Sequence, residues 1–212
     1  MPSTIAGSAP TRRRRSPRTQ EERSAATRAK LVTAATECVA ELGLRAATMG
    51  AIAERAGVSW GAIQHQFGEK DALLDAVLED AVRSFQASLS EIRAAEPDPT
   101  LRVQAFLGRC RDLLNGPTYK AFIEIQMGRS RDASRETDAW SQYLGDALGD
   151  IWRELFGDLG LSRRRLEGAQ RFAFAVLNGI AAEAMLFPGV DFAGRHLEIL
   201  GETLRRLLDL ES

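Results

Sequence analysis

The sequence predicts an all-α protein: a short N-terminal helix-turn-helix unit of three helices, followed by a larger helical body. Three observations predict it. Apolar residues recur three and four positions apart from Leu31 to Leu208, the period of a helix face. No stretch shows the strict apolar–polar alternation of a half-buried strand. Glycine and proline punctuate the pattern at Gly43, Gly57, Pro97, Pro99, Gly116-Pro117 and Pro188-Gly189, where helices have to end.

Residues 1–18 are rich in Pro, Ser, Thr and Arg. Such a composition cannot bury enough apolar surface to fold, so a disordered basic arm is expected there. The run Arg12-Arg13-Arg14-Arg15 with Arg18 has two open readings. It is a solvated tail, or an arm that tracks phosphates or enters a minor groove. A long helix is expected over about Gln20–Leu42, with Leu31, Ala35, Val39 and Leu42 as its inner stripe. Cys38 lies beside that stripe as a small core residue. Gly43 followed by Leu44 suits a Schellman ending.

The most informative stretch runs from Thr48 to Lys70. Thr48 stands where an N-cap belongs, and Ile52, Ala53 and Ala56 give the helix behind it a small inner face. Gly57 ends that helix, Val58 plugs the turn, and Ser59 caps a second helix over about Trp60–Phe67. Ile63 and Phe67, four apart, share its packed face. Gly61 and His65 share the opposite face with Gln64 and Ala62 beside them, and Trp60 lies on the flank. This outward face suits a DNA major groove. Glycine lets another surface approach the backbone, Gln can bond adenine in a bidentate way, and His can reach a phosphate or a base edge. Lys70 opens the next helix, whose N-terminus favours a phosphate. The expected DNA contacts are therefore Thr48, Ser59, Trp60, Gly61, Ala62, Gln64, His65, Gln66 and Lys70.

The joint pattern Gly43-Leu44, Thr48, Ile52-Ala53, Ala56-Gly57-Val58-Ser59, Gly61, Phe67, Lys70 and Leu73-Leu74 resembles the DNA-binding domain of the TetR/AcrR family of bacterial transcriptional regulators. The resemblance spans about Thr19–Val77. It departs at Gln64, where the family usually has Tyr, and at Gln66, where it often has His; His65 is the residue placed to take over part of the missing aromatic's role. The resemblance implies a DNA-binding domain over residues 19–70 and a ligand-binding and dimerisation domain over residues 71–212. It also implies a homodimer formed through the last two long helices.

Beyond Lys70, one helix is expected over about Asp71–Arg93, well placed to join head and body. Glu96-Pro97-Asp98-Pro99 breaks the pattern. Further helices are expected over about Thr100–Leu114, Phe122–Met127 and Ala133–Phe156. The segment Ser162–Phe187 is an almost continuous apolar run, and a helix apolar nearly all round needs cover on more than one side. The last helix is capped by Asp191 and repeats leucine at helical spacing from Leu197 to Leu208. Expected dimer contacts are Phe174, Leu177, Asn178, Leu197, Leu200 and Leu204. Expected cavity walls, chosen for bulk, are Phe85, Phe106, Cys110, Phe122, Met127, Trp140 and Tyr143, each of which could equally fill the core.

Of the 28 Lys+Arg and 29 Asp+Glu, residues 1–75 hold 11 and 8, leaving 17 and 21 for the rest. A basic head on an acidic body fits DNA contact at one end only. No apolar run is long enough to span a membrane, and no hydrophobic segment follows the arginines as a secretory signal requires. Cys38 and Cys110 are too few for a disulfide framework, and a cytoplasmic protein is expected. There is no phosphate loop, no dinucleotide fingerprint and no metal-ligand spacing at His65 or His196, so neither enzyme chemistry, cofactor nor metal is expected. Three functions stay open: a regulator, usually a repressor, released from a DNA operator by a small effector; a regulator governed by protein partners; and a helical enzyme or carrier whose helix-turn-helix is only structural.

Overall fold

The computed structural model describes residues 19–129, 137–187, 189–190 and 193–210, with residues 137–139 described by backbone alone. The expected arm, the predicted helix start near Ala133 and the Asp191 cap lie outside the described residues. Among the described residues there is no strand.

Helix α1 (Gln20–Leu42) opens on a capping box: Thr19 accepts from the Glu22 amide, and the Glu22 carboxylate accepts from the Thr19 amide. Helices α2 (Met49–Ala56) and α3 (Trp60–Phe67) follow, capped by Thr48 and Ser59 as expected. Gly57 between them is left-handed (φ 63°) and its amide closes onto Ala53 and Glu54 carbonyls. Helix α4 (Lys70–Leu89) is shorter than predicted, and a separate short α5 (Ile92–Ala95) takes up the remainder. The Ser88 and Ser90 hydroxyls bond back to the Phe85 and Ala87 carbonyls, the local competition that weakens a helix end. Helix α6 (Pro99–Leu114) is capped by Asp98. Helix α7 (Pro117–Arg129) is longer at both ends than expected over 122–127, because Pro117 starts it as well as ending the preceding loop. Helix α8 (Thr137–Phe156), a 3-10 turn (Gly157–Leu159), α9 (Arg163–Leu186) and α10 (Ala193–Leu207) complete the chain.

Two apolar cores form. The first joins α1, α2, α3 and the first half of α4, from Leu31 to Leu78, and takes in Ala121 and Ile125 of α7. The second joins the end of α4 to α5, α6, α8, α9 and α10, from Phe85 to Leu208. A half-buried ion pair, its arginine buried and its carboxylate partly exposed, braces the second. The Arg102 guanidinium, in a residue only 2% exposed, donates to Asp158 at 2.7 Å and to the Leu155 and Pro97 carbonyls. It thereby ties the start of α6 to the end of α8.

The leucines expected at a dimer contact belong to this second core instead. Leu177, Leu197, Leu200 and Leu204 are each no more than 3% exposed. Helix α10 packs across α6 as well as α9, and Gly201 sits so close to Leu107 that an added Cβ would lie 2.8 Å from its Cδ1. The leucine stripe of α10 therefore faces its own chain.

Candidate nucleic-acid interface and internal cavity

Helix α3 is anchored from behind. Ile63 is fully buried and Phe67 is 9% exposed, with the Arg28 guanidinium of α1 lying 4.4 Å above the Phe67 ring. This backing leaves Trp60, Gly61, Gln64 and His65 exposed on one side, with Ala62 half-buried beside them. Thr48 and Ser59 are exposed at the two cap positions and accept from the Ala51 and Ala62 amides. Trp60 is 56% exposed, an unusual placement for the largest side chain in a short helix that has its own apolar anchors.

Two expected contacts are engaged elsewhere. The Gln66 amide donates to the Ser24 hydroxyl of α1 at 2.8 Å, in a half-buried position. The Lys70 ammonium donates to the Leu44 carbonyl at 2.6 Å, and its partial burial lowers its pKa. Gln66 thereby pins α3 near the start of α1, and Lys70 pins the start of α4 to the loop after α1, rather than projecting with Gln64 and His65.

A cavity of about 80 Å³ lies where the two cores fail to meet. Helix α4 lines it with Ala81, Val82 and Phe85, the turn between its two core segments. Helix α7 contributes Thr118, Tyr119 and Phe122; α8 contributes Leu144 and Leu148. Cys110, Leu113 and Leu114 of α6 and Phe174, Leu177 and Asn178 of α9 close it. Phe85 and Phe174 meet edge to face at 6.2 Å, and Tyr119 stacks on Phe122 at 6.1 Å. The Tyr119 hydroxyl donates to Asn178 Oδ1 at 2.8 Å, and burial pushes the Tyr119 and Cys110 pKa values well up. Leu148, Phe174 and Asn178 also border an open groove between α8 and α9, and the cavity is itself partly open to solvent.

Of the residues expected to line a cavity, Phe85, Cys110 and Phe122 do so. Phe106 does not: it is fully buried against the Trp152 ring at 5.5 Å. Met127 is 47% exposed near the far end of α7. Trp140 and Tyr143 pair with each other at 5.2 Å, and the Trp140 indole donates to Gln126. Bulk selected these four, but the helix face decides which side chains reach a void. Of the expected dimer contacts, Phe174, Leu177 and Asn178 line the cavity, and Asn178 is exposed at its mouth. Sequence reasoning missed Thr118 and Tyr119, although their spacing to Phe122 on one helix could have shown a shared face.

The open apolar surface of the last helices lies elsewhere on α9. Phe172, Ala175, Gly179 and Leu186 are exposed at heptad-like spacing on one side, opposite the buried Ala169, Ala173, Leu177 and Ile180. Ile199 of α10 is 45% exposed. Among the described residues no His, Cys, Asp and Glu cluster is arranged to hold a metal ion, and no helix is long and apolar enough to cross a membrane.

A capped α2, a glycine turn and an outward-facing α3 on a three-helix base define a helix-turn-helix protein with an all-helical body. Residues 31–77 match the profile of "Bacterial regulatory proteins, tetR family", so the chain carries a domain of that family over those residues. Over 124 residues it is 31% identical to the HTH-type transcriptional regulator BetI of Burkholderia ambifaria (strain MC40-6), covering 57% of each chain. The chain thus spans little more than half the length of this curated relative. A TetR-family transcriptional regulator from Streptomyces coelicolor has the same fold, with a TM-score of 0.69 at 21% identity over 87% of this chain and 95% of that one. A SmeT–triclosan complex matches with a TM-score of 0.63 at 24% identity, over 85% and 90%.

Proposed function

We propose that this protein is a homodimeric, DNA-binding transcriptional repressor of the cytoplasm, which leaves a palindromic operator when a small, largely hydrophobic effector enters the cavity. The observation that carries the reading is α3. Its apolar residues are consumed by Ile63 and Phe67, so the exposed Trp60, Gly61, Gln64 and His65 have no packing duty. A helix kept only for structure does not need glycine and an uncovered indole on its outer side. On this reading Trp60, Gly61, Ala62, Gln64 and His65 meet the groove, and Thr48 and Ser59 meet the flanking phosphates. Residues 19–70 then act as the DNA-binding head and residues 71–212 as the effector-binding and dimerisation body.

Dimerisation is supported by where apolar surface is left open. Five of the ten exposed large hydrophobics among the described residues, Phe172, Leu186, Phe187, Val190 and Ile199, lie on α9, α10 or the turn between them. A partner of the same sequence covering this face would give a two-fold molecule with two equal recognition helices. An effector role for the cavity is supported by its walls, since α4 carries both cavity residues and head-core residues. A fold neighbour has been solved as a triclosan complex.

Footprinting of genomic DNA with the purified protein tests the reading. The expected site is a palindrome whose half-site centres lie about 34–40 Å apart. Gln64→Ala should cost roughly 1–3 kcal/mol at the base it reads. A protected site without two-fold symmetry, or an affinity unmoved by changes at both Gln64 and His65, overturns it.

A further inference from the structure

We propose that the cavity selects an uncharged ligand with an apolar, ring-sized body and a hydrogen-bond acceptor such as a carbonyl, which takes its bond from the Asn178 side-chain amide. The inference rests on the effector reading above and adds the chemical class of the effector. No Asp, Glu, Lys, Arg or His is among the described residues lining the cavity. Its two ionisable groups, the Cys110 thiol and the Tyr119 hydroxyl, are kept protonated by burial. Nothing in the wall can therefore neutralise an anion, and no carboxylate is there to neutralise a cation. An ion entering it loses water without gaining an opposite charge.

The polar groups of the wall are few and directed. Tyr119 donates its proton to Asn178 Oδ1 at 2.8 Å, which fixes that oxygen as the acceptor and turns the amide nitrogen away. The Asn178 Nδ2 has no hydrogen-bond partner among the described residues, and it stands at the mouth that the cavity shares with the α8–α9 groove. The remaining wall is aromatic and aliphatic. Phe85, Phe122 and Phe174 offer ring faces and edges that suit a planar apolar body. Such rings also attract quaternary ammonium ions, so a cation is the competitor to exclude.

Four compounds of nearly one shape separate these cases: acetophenone, cumene, benzoate and phenyltrimethylammonium. They share the ring and differ in whether they carry a carbonyl, no polar group, a negative or a positive charge. Isothermal titration of the full-length protein should show acetophenone binding best and cumene next, with both ions at least about tenfold weaker than acetophenone. Asn178→Ala should weaken acetophenone by about 3–10-fold, the worth of one neutral hydrogen bond, and leave cumene unchanged. Three results overturn the proposal: either ion binding as tightly as acetophenone, neither neutral compound binding, or Asn178→Ala weakening both neutral compounds alike. Operator binding measured without any probe keeps the two readings apart. A protein that follows the probe order but binds no operator retains this cavity chemistry and loses the regulator reading.

Discussion

Replacing Asp158 by Asn removes one charge from the ion pair that ties α6 to α8, and the structure fixes both the size and the pH dependence of the result. Arg102 stays buried, with its side chain 3% exposed and its Nε unpartnered, whereas the Asp158 side chain is 34% exposed. Breaking a fully buried pair from one side costs about 3–5 kcal/mol. Here the guanidinium keeps the Leu155 and Pro97 carbonyls, and the carboxylate is partly screened by water. Roughly 1–2 kcal/mol is therefore expected at pH 7, or a fall in Tm of roughly 2–8 °C. The hydrogen bond from Arg102, and behind it the Arg102 and Arg93 charges, holds the Asp158 pKa below its ordinary value. A depressed carboxylate contributes stability that is full above its unfolded-state pKa of about 3.9. That contribution is lost as pH falls through the lower folded value. The gap between the parent protein and Asp158→Asn should thus be constant from pH 7 to about pH 5 and close below about pH 4. Urea unfolding followed by circular dichroism, at one protein concentration throughout, measures it. No gap at pH 7, or a gap that persists unchanged at the acid end, refutes the reasoning.

Two further outcomes follow from the packing. Phe172→Glu combined with Ile199→Glu should give a folded monomer by sedimentation, because both side chains are open on the chain; Leu177→Glu should instead unfold the protein by burying a charge in its core. Gly128→Val should destabilise by about 1 kcal/mol, since even a Cβ there meets Leu44 Cδ2 and the Leu44 side chain has to turn aside; an unchanged urea midpoint would show that Leu44 yields without loss of packing.

The helix-turn-helix was legible because its signals are local. Thr48, Gly57 and Ser59 act through bonds to residues two to four positions away, so sequence neighbours suffice to read them. The destinations of Gln66 and Lys70 were not legible, because Ser24 and the Leu44 carbonyl reach them only once α1 has packed. The near-continuous apolar run of α9 could not show which side met its own chain. The small-residue side, Ala169, Ala173, Leu177, Ile180 and Ala181, proved to be the internal face, and the side with Phe172 and Leu186 was left open. The cavity was the least legible feature. It arises where two cores stop short of each other along α4, between Leu78 and Phe85, and no residue type marks such a gap. Residues chosen for size, such as Phe106 and Trp140, fill space well and therefore line nothing.

The same gap explains how a ligand could reach the head at all. Leu78 belongs to the head core and Val82 to the cavity wall, one helical turn or about 6 Å apart on α4. Helix α7 repeats the arrangement: Tyr119 and Phe122 face the cavity, while Ala121 and Ile125 sit in the head core. At the head end the two helices are clamped together, Arg129 pairing with Asp75 at 2.6 Å and donating to the Asp71 carbonyl at 3.2 Å. On the proposed reading, two rods joined in this way would move the head as a body rather than shear past each other. A ligand shifts that equilibrium only through a difference in affinity between the two head positions. A molecule that fits the present cavity of about 80 Å³ without disturbing its walls favours the head position already held and releases nothing. The effective ligand on the proposed reading must exceed the cavity as it stands, so that Phe85, Phe122 or Phe174 has to give way. Because Phe85 stands on α4 and Phe122 on α7, that displacement is delivered to the two helices that carry the head.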